Sequence, residues 1–188
     1  MKVKDIIKNT AKLLNMIDLI SYLDDMEHVV PSADTQKDLN DMLLAINITN
    51  SNIACNYIEL SETKRINTET GLINYVLLTN KNIIEIKSVK DIHGNKQKFY
   101  VRPDMLQVPV GNHDIEFSYY PSSVGIADDI NYYLKINEII FALGVAGEYL
   151  FIKGDIDDAY MWDKRFKQMM LGALRPKRQI DMPVSRWC

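Results

Sequence analysis

The chain carries two kinds of hydrophobic pattern. Apolar residues recur three and four positions apart over residues 3–20 and again over 39–53, as they do on one face of a helix. Between residues 57 and 121 they alternate with polar residues or form short runs, which is typical of strands. The helical spacing returns after residue 128. The pattern predicts an α+β protein with helices on both sides of a strand-rich segment.

Two helices are predicted at the amino end. The first runs from Val3 and fades at Asp24 and Asp25, and the second begins near Ser32 or Asp34, which are both good N-cap residues. Because a short link joins them, we expect the two helices to form an antiparallel pair.

The middle of the chain predicts a small antiparallel β domain of about six strands. The turn residues 91–96 predict a hairpin between the third and fourth strands. The predicted strands are residues 57–63, 71–78, 83–89, 97–101, 105–109 and 114–120.

Two more helices are predicted at the carboxyl end. The third starts at Asp128 and Asp129 and stops at Gly154, and the fourth is capped by Asp155 and ended by Pro176. Small residues in the third helix allow another backbone to approach closely, either within the domain or between subunits, and we favour packing within the domain. The residues assigned to helix or subunit packing are Ala142, Gly144, Ala146, Gly147, Trp162 and Phe166.

These elements divide the 188 residues into four segments. Residues 1–56 and 122–175 are predicted to form a helical body, residues 57–121 the inserted β domain, and residues 176–188 an extended arm. With 47% apolar residues the chain can build a core, and no apolar run is long enough for a membrane span. The start lacks the apolar region of a signal peptide, so we expect a soluble protein without a membrane partner.

The net charge of −3 conceals an uneven distribution. Residues 164–188 contain seven cations and one acid, a net charge of +6, so the rest of the chain carries −9. A basic end on an acidic body predicts that this end docks onto something acidic.

The sequence offers little catalytic chemistry. His93 and His113 fall in turn-like stretches, His28 follows a helix end, and Cys55 is expected to be a small core residue. Asp155, Asp157 and Asp158 lack the glycine and glutamate of a calcium loop. The chain has no phosphate-binding glycine loop or zinc spacing. We therefore expect no enzyme activity, no cofactor and no metal site.

Two stretches resemble a known family. Residues 139–154, with Leu143 to Tyr149 at their centre, and residues 158–166, from Asp158 to Phe166, are followed by the basic arm that ends Arg186, Trp187. Together they resemble the head-to-tail connector proteins of tailed bacteriophages, especially the portal-docking adaptors of short-tailed phages. The resemblance covers the carboxyl-terminal third closely and the remainder by the order of elements.

The resemblance implies a structural virion protein at the head–tail interface, assembled in the host cytoplasm. Such a protein would form a homo-oligomeric ring of twelve copies between the portal protein and the next tail component. The ring would let double-stranded DNA pass without reading its sequence. In this interpretation portal docking is assigned to Arg175, Lys177, Arg178, Arg186 and Trp187.

Two alternatives remain open. One is a neck or head-completion protein of a long-tailed phage, which belongs to the same structural class. The other is a DNA-binding accessory protein that places the basic arm on phosphates.

Overall fold

A computed structural model describes residues 1–26, 28–132 and 136–175. Within these ranges the helices and strands follow the predicted α+β order, with helices at both ends and a small antiparallel β domain between them. The helices are α1 Val3–Leu13, α2 Ile17–Asp24, α3 Ala33–Asn56, α4 Tyr75–Leu78, α5 Glu138–Lys153 and α6 Ile156–Leu174. The strands are β1 Ser61–Thr68, β2 Leu72–Asn74, β3 Ile83–Asp91, β4 Tyr100–Val101, β5 Met105–Gln107 and β6 Gly111–Tyr119.

Helix α5 lies at the centre of the helical body. It is apolar on all sides, and it packs against α1, α3 and α6. The expected antiparallel pair of amino-terminal helices forms only in part: α2, the second half of the first predicted helix, contacts α3, whereas α1 and α3 each pack mainly on α5. A helix as apolar as α5 has to be covered by neighbouring helices. Burial of α5 therefore decides how α1 and α3 pack, more than the short connection between the amino-terminal helices does.

The first predicted helix is broken into α1 and α2 at Asn15. This residue has a φ of 55°, and the amide of Met16 donates to the carbonyl of Ala11 at 2.9 Å. That is the hydrogen bond of a Schellman C-cap, in which asparagine substitutes for the usual glycine. The apolar spacing continues across Asn15, so the periodicity alone did not predict the break.

The β domain consists of two three-stranded antiparallel sheets, ordered β1-β6-β3 and β2-β5-β4. The predicted hairpin between the third and fourth strands is wrong, because β3 pairs with β6 and β4 pairs with β5. The turn itself forms: the Asp91 carboxylate accepts hydrogen bonds from the amides of His93 and Asn95. Beyond the turn, the chain makes only an isolated bridge between Lys90 and Lys96 before it leaves β3.

Two other strand predictions are corrected. The first strand begins at Ser61 rather than at residue 57, because Tyr57 and Ile58 pack against the core of the helical body. The second strand ends at Asn74, whose side chain accepts a hydrogen bond from the Val76 amide at 3.0 Å and starts the short helix α4.

The start of α5 was also placed wrongly. The helix begins at Glu138, and its cap is Asn137, whose side chain accepts from the Ile140 amide at 2.9 Å. Asp128 instead closes a turn by accepting from the Gly125 amide at 2.7 Å, and its carbonyl accepts from the Val3 amide. The predicted ends at Ser32 and Gly154 are confirmed, with Gly154 at a φ of 86°.

Each part of the fold has its own hydrophobic core. One cluster of buried residues joins α1, α2, α3, α5 and α6 with residues 130 and 136 of the preceding loop. The other lies between the two sheets and contains Ile73, Leu78, Ile86, Val89, Leu106, Val108, Ile115 and Phe117. None of the helices in the described ranges is long and apolar enough to cross a membrane.

Candidate functional site

The small residues of α5 lie inside the helical body. Ala142, Gly144, Ala146 and Gly147 are all buried. A Cβ on Gly144 would meet the Thr49 methyl carbon at 2.8 Å, and one on Gly147 would meet the Asp163 amide nitrogen at 3.2 Å. These contacts join α5 to α3 and to α6, so Gly144 and Gly147 pack helices within the chain.

Phe166 and Trp162 hold α6 against the same core. Phe166 is 2% exposed and makes an edge-to-face contact with Tyr57 at a centroid distance of 5.9 Å. Trp162 is half-buried, and the Arg165 guanidinium lies over its ring at 5.1 Å. Arg165 thus covers the outer face of the indole by a cation–π contact.

The predicted docking residues fall mostly outside the described part of the chain. Arg175 is described: it is exposed and follows the last residue of α6, with its amide donating to the Leu171 carbonyl at 3.1 Å. Lys177, Arg178, Arg186 and Trp187 lie outside the described residues.

The basic character begins earlier than residue 175, on an exposed face of α6. Lys164, Lys167 and Arg175 recur on this face at helical spacing and are all exposed. On the same face, Tyr160, 62% exposed, lies one turn before Lys164, and Leu171, 55% exposed, lies between Lys167 and Arg175. We call these five residues the basic face of α6. Sequence reasoning counted these cations but did not place them, although their spacing was the available signal.

The β domain carries an exposed apolar surface. A cleft of about 870 Å³ is lined by residues of α4, by the start of β3 and by residues 101–103. Val76 and Val101 at its rim are 80% and 64% exposed. An apolar surface of this kind on a water-exposed domain is typical of an interaction site. The sequence suggested a buried strand at residues 71–78, so this surface was missed.

The candidate catalytic and metal residues do not come together. In the described ranges, no three His, Cys, Asp or Glu side chains are grouped as metal ligands would be. His28 contacts Asp25 at an exposed helix end, and His93 lies in an exposed turn, as expected. Asp155 holds the N-cap position of α6, but its side chain makes no capping hydrogen bond to the described chain.

Two expectations are overturned. Cys55 is exposed, because it lies on the outer side of α3 rather than on its core face. His113 is 4% exposed within β6, where its Nε2 contacts the Pro109 carbonyl at 2.7 Å. The Gly-Asn-His-Asp sequence suggested a turn, but the chain enters β6 at Gly111.

A charged cluster joins α3 to α5. The Lys153 ammonium donates to the carboxylates of Asp38 and Asp41 at 2.8 and 2.6 Å. Burial lowers the pKa of Lys153, but the two hydrogen-bonded carboxylates outweigh this effect and hold it above its ordinary value. Burial, together with the hydrogen bond to Asp38, raises the pKa of Tyr149 to about 12. This cluster ties α3 to α5.

No family model matches the chain, and no curated protein is similar enough to it to suggest common ancestry.

Proposed function

We propose that this chain is a non-enzymatic structural subunit of a bacteriophage virion. Copies of it form a ring that joins the portal protein to the next tail component and lets DNA pass. The number of copies, twelve, and the position at the head–tail interface come from the family resemblance.

The main support is the presence of two chemically different surfaces on two separate cores. The helical body carries the basic face of α6, which leads directly into the cations of the arm. The β domain carries the apolar cleft between α4 and β3. A protein that joins two partners needs two such surfaces, and a rigid body to hold them apart.

Each surface suits one of the proposed partners. Cations on α6 and in the arm, including Arg175, would pair with acidic groups of the portal. The apolar cleft would receive the next tail component. The rest of the chain carries a net negative charge, which suits a ring whose channel lets DNA pass. A channel lined with cations would bind the DNA phosphates and hold the DNA back.

The direct test is electron microscopy of the full chain mixed with a purified portal protein. We expect rings stacked on portals, and we expect a chain lacking residues 176–188 to fold but not to join them. Circular dichroism would check that the shortened chain folds. Portals joined equally well by the shortened chain would contradict the docking role of the arm.

A second candidate, a DNA-binding accessory protein, is favoured by the basic face of α6. This function predicts that the isolated chain binds duplex DNA with an affinity that falls steeply as salt rises. Tight, salt-dependent DNA binding without ring formation on portals would favour this candidate over the first.

A further inference from the structure

The outer edge of β3 borders the apolar cleft of the β domain. Strand β3 lies at the end of the sheet β1-β6-β3, and its residues Ile83 and Ile86 line the cleft. Val76 of α4 and Val101 of β4 belong to the same lining. In the described part of the chain, no strand pairs with β3 on its outer side between residues 83 and 88. This edge is therefore open to another strand.

The register of the sheet shows which backbone groups of β3 are free. The Tyr119 amide donates to the Leu60 carbonyl, on the β1 side of β6, and the groups of Phe117, two residues earlier, point the same way. Ile83 and Ile86 stand opposite Tyr119 and Phe117. They therefore form non-hydrogen-bonded pairs with β6, and their own N–H and C=O groups point to the outer side.

The open part of this edge is short. At its carboxyl end the Gln97 amide donates to the Val89 carbonyl at 2.8 Å, so the chain itself covers the edge from there on. The register with β6 shifts after Ile83 and again after Ile86, which makes the edge irregular. Residues 83–88 span about 20 Å. A short strand fits this edge, whereas extension into a long sheet is disfavoured.

The walls of the cleft are apolar and held in place. The Tyr75 hydroxyl of α4 donates to the Arg102 carbonyl at 2.8 Å, which fixes α4 to the segment that follows β4. Val76, Ile84 and Val101 line the cleft and are 80%, 38% and 64% exposed. A strand in the cleft would remove these side chains from water and would satisfy the free backbone groups of β3 at the same time.

The charges of the cleft favour an acidic residue in that strand. Among the charged side chains of the lining, Lys81 and Glu85 each have a partner of opposite charge within 4 Å. Arg102 has no carboxylate within that distance in the described ranges, and its Nη2 donates to the Gln107 amide oxygen at 2.7 Å. A guanidinium binds a carboxylate through two parallel N–H groups, so Arg102 is suited to an acid of the incoming strand.

We propose that the cleft binds an extended segment of a partner protein, which adds to the outer edge of β3 as a short strand. The segment places apolar side chains against Val76 and Val101 and an acidic side chain at Arg102. A helix could cover the same apolar walls, but it would leave the free groups of Ile83 and Ile86 unpaired. The inference rests on the proposed function for the identity of the partner, the next tail component, and it names the chemistry by which the cleft binds that partner.

The first test is amide hydrogen exchange of the full chain, followed by NMR. The amides of Ile83 and Ile86 should exchange at least about tenfold faster than the amide of Lys90, which points to Asp114 of β6. Equal protection of the three amides would overturn the proposal, because the edge of β3 would then not be free.

The second test uses a synthetic peptide, acetyl-Thr-Val-Thr-Asp-Thr-Val-Thr-amide. Its valines and its aspartate share one face when the peptide is extended. The peptide should bind the full chain and slow exchange at Ile83 and Ile86. Two versions N-methylated at alternate amides, one along each edge of the peptide, separate backbone pairing from apolar contact. The version methylated toward β3 should bind at least about tenfold more weakly than the other. Equal affinities of the two versions, whether high or low, would overturn the proposal.

The third test concerns the acid. Arg102→Gln should weaken binding of the aspartate peptide about threefold, as expected for an exposed ion pair, and should not affect a peptide with asparagine in its place. Lys96→Gln, an equal charge change at an exposed residue outside the cleft, is the control. Equal losses in the two variants would overturn the role of Arg102. None of these measurements uses portals, so a failure to form rings on portals would count against the proposed function and not against strand addition.

Discussion

Gly144 of α5 lies against the ring of Phe166 of α6, so that a Cβ on the glycine would come within 3.1 Å of two ring carbons. The same Cβ would come within 2.8 Å of the Thr49 methyl group on α3. Three helices therefore meet at a point where a side chain has no room.

Replacing Gly144 with alanine should destabilise the helical body by about 1–3 kcal/mol, the usual cost of overpacking. The matched control is Gly172→Ala, where the space is open among the described residues; it should stabilise α6 by about 0.5–1 kcal/mol through helix propensity. Urea unfolding of both variants gives the comparison. Equal changes in the free energy of unfolding at the two positions would show that Gly144 has room for a Cβ atom.

The cluster around Lys153 should make the fold sensitive to alkali. The pKa of Lys153 is higher in the folded chain than its ordinary value of 10.5, so its contribution to stability is complete below that pH and is lost as the pH rises through the folded value. Tyr149 acts in the same direction, because the folded chain holds its proton from pH 10 to about 12. The free energy of unfolding should therefore fall between pH 10 and 12.

Urea titrations at pH 8, 10 and 11 measure this fall. Lys153→Met should lower stability by about 1–2 kcal/mol at pH 8, since two carboxylates lose a charged hydrogen-bond partner. The same substitution should also make the free energy of unfolding less dependent on pH above pH 10. Tyr149→Phe should remove part of the slope while leaving the ion pairs intact, and an unchanged slope in both variants would contradict the assignment.

Under the proposed function, the basic face of α6 should contribute to portal binding. Reversing Lys164 and Arg175 to glutamate should weaken the binding of the full chain to portals at least about tenfold at low salt. Reversing Lys37 and Lys96, two exposed lysines elsewhere, changes the net charge equally and should have little effect. Equal losses from the two pairs would assign the effect to net charge alone.

The apolar cleft of the β domain should be needed for a later assembly step. Val76→Ser with Val101→Ser should change stability by less than about 0.5 kcal/mol, because both side chains are largely exposed. We expect the variant to form rings on portals but to fail to recruit the next tail component. Val110→Ser, at a position that is 68% exposed and outside the cleft, is the control. If the double variant still recruits the next tail component, the cleft is not part of that interface.

Local signals predicted the features that depend on neighbouring residues. Ser32 and Gly154 were placed correctly at helix ends because a capping side chain and a left-handed glycine act within one turn. Asp128 was wrongly predicted to start α5 because aspartate is a good N-cap residue; Asn137 is the cap, and Asp128 is instead held by a contact with the distant residue Val3.

Strand pairing and exposed surfaces could not be predicted in this way. The preference of β3 for β6 over β4 arises from the packing of two sheets, which no short stretch of sequence encodes. The exposure of Val76 likewise depends on Asn74 starting a helical turn within an apolar run.

The central position of α5 has a consequence for the order of folding during synthesis. Helices α1 and α3 leave the ribosome well before α5, and their apolar faces lack their main partner until residues 138–153 have been made. The β domain, with a core of its own, is complete before that point. The helical body therefore cannot form its core until α5 has been synthesised. The nascent chain should be most prone to aggregation while residues 57–137 are being translated.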